Sequence, residues 1–237
     1  MANTAPAIIK GISSMATRQV LVELVSAFEQ QSGCTVAIEA VGGVDAAKRV
    51  QAGETFDVVV LASDAIDKLI AAGHLQVGSR RDLVRSGVAV AVRAGEPVPD
   101  ISSEDAVKRA VLVATSVSYS TGPSGVALAR LFERWGITSE MAGRMVQAPP
   151  GVPVGTMVAR GEVALGFQQL SELLHVEGIT LVGPLPPAIQ ILATFSAGIH
   201  RSVVAGSPHS ESVRAMLDHM TSKQADQAKK RQGMDPA

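Results

Sequence analysis

Two patterns of apolar positions alternate along the chain. The run Asp57–Leu61 is almost wholly apolar, as in a strand buried on both faces. Thr17–Gln31 instead repeats its apolar residues every three or four positions, as in an amphipathic helix. Strands separated by helices of this length predict βαβ units and a parallel sheet with helices on both faces. The predicted strands are Ala7–Ser13, Thr35–Ala40, Asp57–Leu61, Val84–Arg93, Val111–Ser116, Glu162–Phe167, Ile179–Val182 and Ile189–Phe195. The predicted helices are Thr17–Gln31, Asp45–Ala52, Asp64–Ala72, Ser102–Ala110, Val126–Trp135, Val154–Arg160, Gln168–Leu174, His209–Thr221 and Ser222–Gln232.

Two segments rich in glycine and proline interrupt this pattern, at Arg93–Ile101 and Gly183–Ile189. They are suited to a chain that crosses twice between two lobes. We therefore predict an α/β protein of two discontinuous lobes, each with a mainly parallel sheet flanked by helices. Residues 1–90 and 190–237 would form lobe 1, and residues 91–189 would form lobe 2.

The composition argues against nucleic acid and membranes as binding partners. The 21 Lys and Arg residues nearly balance the 22 Asp and Glu residues, and aromatic residues make up only 3% of the chain. Such a chain lacks the positive field that holds nucleic acid, and it offers few aromatic rings on which bases or sugars could stack. No apolar run is long enough to span a membrane. We therefore predict neither nucleic-acid binding nor membrane insertion.

Metal and cofactor motifs are also lacking in the sequence. Its single cysteine, Cys34, allows neither an internal disulfide nor a multi-cysteine zinc site, and we expect it to be buried as a small hydrophobic residue. The histidines show no metal-ligand spacing, and the phosphate-loop and serine-hydrolase motifs are missing. We therefore predict no metal and no cofactor. The amino-terminus has no secretory signal as written, so we expect a cytoplasmic protein, or a periplasmic one if a leader precedes this sequence.

The strand ends are where ligand-binding groups are expected. In a parallel sheet, ligands bind beyond the carboxyl ends of the strands, where helix amino-termini offer unpaired N–H groups. Three such loops combine hydroxyl or glycine residues with a helix start: Gly11–Thr17, Ala40–Asp45 and Tyr119–Gly125. These residue types can bind an oxyanion, and each loop can also simply cap its helix.

The order of several motifs resembles a known family. The motifs are the Ser13–Ser14 turn before a helix, Ala46–Gly53 leading into Asp57–Val60, Val154–Phe167, and the closing Gly233–Pro236. Together they resemble the type 2 periplasmic-binding fold, specifically the molybdate-binding proteins of ABC transporters, over nearly the whole chain. The resemblance implies two lobes with a cleft that closes on a small anion, and an ABC transporter permease as a partner.

The resemblance also implies a set of ligand-binding residues. Ser14 would supply the first hydroxyl, the loop 121–125 a contact from lobe 2, and Val154 a backbone N–H. The sequence departs from the molybdate-binding pattern at two places: Gly42–Val44 replaces a serine run, and Gln168–Gln169 replaces a tyrosine. A carboxamide both donates and accepts hydrogen bonds, which suits a carboxylate or hydroxy acid better than molybdate. The predicted ligand-binding residues are Ser13, Ser14, Gly42, Gly43, Val44, Tyr119, Thr121, Gly122, Ser124, Gly125, Val154, Gln168 and Gln169.

Three functions remain open from the sequence. The first is a solute-binding protein that captures a small anion, an oxyanion or an organic carboxylate, in a cleft between the lobes. The second is a cytosolic isomerase of a small polycarboxylate, similar to aconitate isomerase, for which Asp45 and Lys48 are candidate bases. The third is an intracellular sensor of anion supply. The sequence assigns no catalytic residue.

Overall fold

A computed structural model describes residues 8–237 of the chain, so that Ala7 of the first predicted strand lies outside the described residues. The strands are β1 (Ile9–Ser14), β2 (Val36–Val41), β3 (Val58–Ala62), β4 (Arg81–Arg93), β5 (Val117–Tyr119), β6 (Met145–Gln147), β7 (Leu165–Gln169), β8 (Ile179–Pro184), β9 (Leu192–Ile199) and β10 (Asp235–Pro236). The helices are α1 (Arg18–Ser32), α2 (Gly43–Gln51), α3 (Ser63–Ala71), α4 (Glu104–Val113), α5 (Pro123–Arg134), α6 (Val154–Ala159), α7 (Leu170–Leu173), α8 (Pro208–Thr221) and α9 (Asp226–Arg231). Strands and helices alternate as the sequence predicts.

The chain divides into two compact units. Unit 1 comprises the described part of Met1–Arg85 together with Thr194–Ala237, and unit 2 comprises Ser86–Ala193. The chain leaves unit 1 within β4 and returns to it within β9. Unit 1 is therefore built from two separate stretches of sequence, whereas unit 2 is continuous.

In unit 1 the strands lie in the order β2-β1-β3-β9. β1 runs parallel to β2 and to β3, and β9 runs antiparallel to β3. The short β10 pairs with the beginning of β4. An apolar cluster beneath α2 and α3 includes Ile12, Val59 and Ile66. The parallel arrangement brings the carboxyl ends of β1, β2 and β3 to one edge of the sheet.

In unit 2 the strands lie in the order β8-β4-β7-β5-β6. β5 runs parallel to β6 and β7, and β4 runs antiparallel to β7 and β8. Phe132 of α5 lies at the centre of the main core, where its ring meets Phe167 of β7 edge-on at 6.0 Å between centroids. The carboxyl ends of β5 and β7 share an edge of this sheet.

Three local predictions were wrong. The predicted helix Gln168–Leu174 begins only at Leu170, because Gln168 and Gln169 are buried in pairing with β4 and end β7. Val111–Ser116 is not a strand, because α4 continues to Val113 and β5 begins only at Val117. Val107 and Val111 are fully buried one helical turn apart, so the apolar run continues the inner stripe of the helix. Cys34 is only half-buried, because it lies in the turn before β2 rather than inside the strand.

Candidate functional site

Three helix starts meet the ends of three neighbouring parallel strands in unit 1. A short 3-10 turn leads from β1 into α1, α2 begins two residues after β2, and α3 begins directly after β3. The N-cap residues Ser14, Gly42 and Ala62 make no side-chain bond to a helix N–H. The first N–H groups of a helix have no partner within the helix, so this edge of unit 1 presents hydrogen-bond donors.

β1 ends at Ser14, one residue later than predicted, and Ser13 and Ser14 are both buried. The Ser13 hydroxyl lies 3.5 Å from the Glu39 carbonyl oxygen, which directs it towards β2. The Thr17 hydroxyl donates to the Ser14 carbonyl oxygen at 3.0 Å, and the two hydroxyl oxygens are 3.4 Å apart. Since Thr17 uses its own hydrogen on that carbonyl, the contact between the two hydroxyls is donated by Ser14, and at 3.4 Å it is long enough that a ligand oxygen at a shorter distance can take over this hydrogen.

The loop 42–44 lies beside Ser14. A Cβ on Gly43 would lie 3.4 Å from the Ser14 Cβ, so the start of α2 approaches the end of β1 closely. Val44 is exposed, and its side chain offers no polar group. The loop therefore contributes backbone N–H groups where the molybdate-binding pattern has serine hydroxyls.

One cation of α2, Arg49, is already paired. Arg49 of α2 forms a bidentate pair with Glu39 (2.8 and 2.9 Å) and contacts Glu54 at 2.6 and 2.7 Å. Hydrogen bonds from Arg49 hold the pKa values of both carboxyls below their usual range. Lys48, one candidate base, is exposed, and Asp45, the other, is partly exposed. The donors identified at this edge, the backbone N–H groups and the Ser14 hydroxyl, are uncharged.

Sequence reasoning missed Ser63, the first residue of α3. Its hydroxyl lies 2.6 Å from the Ser196 hydroxyl and 3.0 Å from the Thr194 carbonyl oxygen, both on β9. Ser196 in turn donates to Asp82 at 2.6 Å. The same signal that found Ser14, a hydroxyl residue between a parallel strand and a helix, also applies to Ser63.

In unit 2, the loop after β5 brings the predicted residues Tyr119, Thr121, Gly122, Ser124 and Gly125 to the start of α5. The Tyr119 ring packs edge-on against Phe132 at 6.5 Å, so its aromatic face belongs to the core. Ser124 is buried and lies 3.5 Å from the Ser120 hydroxyl. Gly122, the N-cap, has no side chain with which to bond the first N–H groups of α5.

Gly125 is required by the close approach of this loop to α5. A Cβ at this position would lie 1.8 Å from the Ser120 carbonyl oxygen. Only glycine allows α5 to begin so close to the loop, which fixes the positions of Ser120 and Ser124 relative to each other.

Val154 and Gln168 lie together, at the start of α6 and the end of β7. Val154 is fully buried, and the adjacent Gly155 N–H donates to Gln168 Oε1 at 2.9 Å. Gln168 Nε2 donates to Glu172 Oε1 of α7 at 2.9 Å. Burial raises the pKa of Glu172 to about 7, although the bond from Gln168 opposes this shift. This group is the one titratable side chain near these strand ends whose pKa is raised into the neutral range.

Gln169 follows Gln168 on β7 but faces the other way, as alternate residues of a strand do. Its amide nitrogen lies 2.9 Å from the Ser86 hydroxyl, with the Ser86 and Gly87 carbonyl oxygens at 3.1 and 3.3 Å. Both glutamines are thus engaged within unit 2, and their use for a ligand stays a prediction.

Residues 9–235 match the family of bacterial extracellular solute-binding proteins. The chain belongs to this family. A relative of this solute-binding protein, the aconitate isomerase of a Pseudomonas species, is 40% identical over 220 residues, which cover 90% of this chain and 82% of the relative.

Solved structures share the fold of this solute-binding protein. The periplasmic molybdate-binding protein of Azotobacter vinelandii is 21% identical, with a TM-score of 0.77, over 97% of this chain and 99% of that one. The sulfate-binding protein SubI of Mycobacterium tuberculosis H37Rv is 16% identical, with a TM-score of 0.77, over 98% of this chain and 87% of that one. The predicted type 2 periplasmic-binding fold and the resemblance to molybdate-binding proteins are confirmed.

Within residues 8–237, no cluster of three or more His, Cys, Asp or Glu side chains could hold a metal ion. No helix among these residues is long and apolar enough to cross a membrane.

Proposed function

We propose that this solute-binding protein binds a small organic carboxylate. One observation carries the proposal: unit 1 gathers three helix starts without side-chain caps around the buried Ser14 hydroxyl. Charge-assisted hydrogen bonds from N–H and O–H donors to an anion are stronger than neutral ones. These donors can therefore hold an anion although Arg49 of α2 is already paired with Glu39 and Glu54.

The donor set favours a carboxylate over a tetrahedral oxyanion. Ser14 supplies one hydroxyl, and Gly42–Val44 supplies backbone groups in place of further hydroxyls. A planar carboxylate has two oxygens to satisfy, whereas molybdate or sulfate has four. Binding to a transporter permease is the corresponding proposal for a protein partner, and it follows from the family alone.

A thermal-shift panel tests the proposed ligand class. Citrate, malate and succinate should raise the melting temperature, and molybdate, tungstate and sulfate should not. A ligand at about 100 times its Kd adds about 2.7 kcal/mol to the free energy of unfolding. Ser14→Ala should weaken the response to the carboxylates, while Ser212→Ala, whose partly exposed hydroxyl on α8 donates to the Pro208 carbonyl oxygen, should leave it unchanged. A protein that responds to none of the six anions, or to the three oxyanions alone, would refute the proposal.

A second candidate function is an isomerase of a small polycarboxylate. Two observations favour it: the relative named aconitate isomerase and the carboxyl of Glu172 with its pKa of about 7. Moving a double bond along an allylic system requires a base that removes a proton from one carbon, and the same group can return that proton to the other end. Glu172 has the pKa that such a base needs near neutral pH.

Proton NMR in D₂O tests the isomerase. With cis-aconitate as the probe, the wild type should convert it to the trans isomer. Glu172→Gln should slow the conversion at least a hundredfold while keeping the ligand-induced rise in melting temperature. The Asp45→Asn variant serves as a comparison for the other candidate carboxylate. Absence of turnover in the wild type removes this function, and full turnover by Glu172→Gln removes the role of Glu172.

A further inference from the structure

The Ser63 hydroxyl lies at the same edge of unit 1 as the proposed ligand donors. Ser13 pairs with Val60 in the parallel register, so Ser14 lies beside Leu61, and Ser63 comes two residues after Leu61, just beyond the end of β3. Adjacent strands are roughly 4.8 Å apart. Ser63 is partly exposed at the start of α3, whose first N–H groups have no side-chain cap.

The charge of Asp82 determines where the hydroxyl hydrogens of Ser196 and Ser63 point. Arg80 donates to both carboxylate oxygens of Asp82, at 2.8 and 3.2 Å. These bonds hold the pKa of Asp82 below its usual range, so the carboxylate is ionised and only accepts. The fully buried Ser196 lies 2.6 Å from the carboxylate and must therefore donate its single hydrogen to Asp82.

This arrangement fixes the Ser63 hydroxyl as well. The Ser63 and Ser196 oxygens are only 2.6 Å apart, a distance that requires a hydrogen between them. Since Ser196 spends its hydrogen on Asp82, Ser63 must donate to Ser196. The Ser63 hydroxyl also donates to the Thr194 carbonyl oxygen at 3.0 Å, so its single hydrogen is shared between two acceptors on β9. The exposed side of the Ser63 oxygen is therefore left with lone pairs.

Ser14 and Ser63 thus differ in what they offer to a ligand. The Ser14 hydrogen is held only by the 3.4 Å contact with Thr17 and can turn to a ligand, while the Ser63 hydrogen is held by acceptors at 2.6 and 3.0 Å, so that the Ser63 oxygen can only accept from a ligand. An ionised carboxylate oxygen placed against Ser63 would face lone pairs, whereas an O–H group would complete a hydrogen bond.

We propose that Ser63 determines specificity by accepting a hydrogen bond from the ligand, and that the ligand is a hydroxycarboxylate. Its carboxylate binds the N–H and Ser14 donors, and its hydroxyl donates to Ser63. Ser196 and Asp82 act as positioning residues that fix the direction of the Ser63 hydroxyl. This inference rests on the proposed binding of an organic carboxylate, and it adds the hydroxyl.

Isothermal titration calorimetry with two matched pairs of acids tests this inference. Malate differs from succinate, and citrate from tricarballylate, by one hydroxyl group. The wild type should bind the hydroxy acid of each pair between about twofold and tenfold more tightly, the value of one net hydrogen bond. Ser63→Ala should bring the ratio close to one, chiefly by weakening the hydroxy acid. Ser63→Thr, which unlike Ser63→Ala keeps a hydroxyl at this position, should keep the preference for the hydroxy acids.

The positioning role has its own variants. In Asp82→Asn the new amide can donate to Ser196, which lets Ser196 donate to Ser63 and reverses the chain of hydrogen bonds. The Ser63 hydrogen is then released from Ser196 and can turn either to the Thr194 carbonyl or to the ligand, so Ser63 no longer only accepts. The hydroxy-acid preference should then fall, with succinate and tricarballylate affinity kept. Asp67→Asn is the matched control, because Asp67 contacts Arg80 at 2.7 Å without being part of the serine chain. It should keep the wild-type ratio.

The results of these titrations distinguish failure of the inference from failure of the proposed function. Equal affinity within both pairs in the wild type overturns the inference, as does a Ser63→Ala variant that weakens both members of a pair equally. In either case carboxylate binding itself stands. Binding of none of the four acids refutes the proposed function and the inference with it. An unchanged ratio in Asp82→Asn overturns the positioning role of Asp82 alone.

Discussion

Burial of Glu172 lowers the stability of the folded protein when the carboxyl ionises, and it also gives this carboxyl the pKa of a base that acts near neutral pH. Its carboxyl accepts a hydrogen bond from the Gln168 amide nitrogen. The Gln168 amide oxygen in turn accepts a hydrogen bond from the Gly155 N–H at the start of α6. Burial penalises the charged form and raises the pKa from 4.5 to about 7. The folded protein therefore favours the protonated carboxyl, whereas the unfolded chain ionises it from about pH 4.5 upwards.

Replacing Glu172 with glutamine should stabilise the protein at alkaline pH. The folded-state pKa lies above the unfolded one, so the stability linked to the neutral carboxyl is present below pH 4.5 and is lost as the pH rises through 7. Glu172→Gln avoids this loss. Urea unfolding should show a gain of about 3 kcal/mol at pH 8 and of about 1 kcal/mol or less at pH 5.

The exposed Glu177 provides the control for this measurement. Glu177→Gln should change the free energy of unfolding little at either pH, because its side chain is in water in both states. A gain in Glu172→Gln that is the same at pH 5 and pH 8 would show that the effect comes from packing and not from ionisation.

At the scale of elements, the sequence predicts where strands and helices alternate better than where they end. The apolar run Val111–Val113 fits the end of a helix as well as the start of a strand, and the burial of Val111 beside Val107 decides that the helix continues. Similarly, Gln168 and Gln169 look like one amide pair in the sequence. Successive side chains of a strand point to opposite faces, so Gln168 bonds to the start of α6 and Gln169 bonds to Ser86 and Gly87.

The candidate site was predictable to the extent that topology determines it. Ser14 and Gly43 were found because both follow a parallel strand and precede a helix. Ser63 satisfies the same rule, but its role as an acceptor depends on Asp82 and Ser196, which are distant in sequence. The raised pKa of Glu172 likewise depends on burial beside α6 and could not be read from the residues around it.

Gly125 is the residue on which the geometry of the α5 start depends. A methyl group placed 1.8 Å from the Ser120 carbonyl oxygen cannot be accommodated unless the loop or the helix moves. Gly125→Ala should lower the free energy of unfolding by about 2–4 kcal/mol, as for other severe steric insertions. Urea titration followed by circular dichroism measures this change.

Gly122→Ala is the matched control in the same loop. A Cβ there would come no closer than 3.8 Å to a neighbouring atom, the Ser120 hydroxyl oxygen, and the backbone φ of −75° is open to alanine. Its effect should stay within about 1 kcal/mol. Equal destabilisation by both substitutions would show that the loop, and not the contact with Ser120, limits stability.

For the whole molecule, the division of the chain makes the two units unequal in folding. Unit 2 is one continuous stretch, and its strands and its main core come from residues 86–193 alone. Unit 1 needs both ends of the chain, because β9 pairs with β3 and the helices α8 and α9 pack against α1. On α8, Val213, Met216, Leu217 and Met220 are buried in this packing.

Two fragments of the chain test whether unit 2 folds alone and whether unit 1 needs residues 194–237. Residues 86–193 alone should fold, with a cooperative urea transition and protected amides in β4, β5 and β7. A fragment of residues 1–193 should show the same protection in unit 2, but none in β1–β3. Without residues 194–237, β3 loses its antiparallel neighbour and α1 loses the helices that cover its buried face. Hydrogen exchange followed by mass spectrometry locates the protection, and protected amides in β1–β3 of the 1–193 fragment would show that the amino-terminal stretch folds without the carboxyl-terminal one.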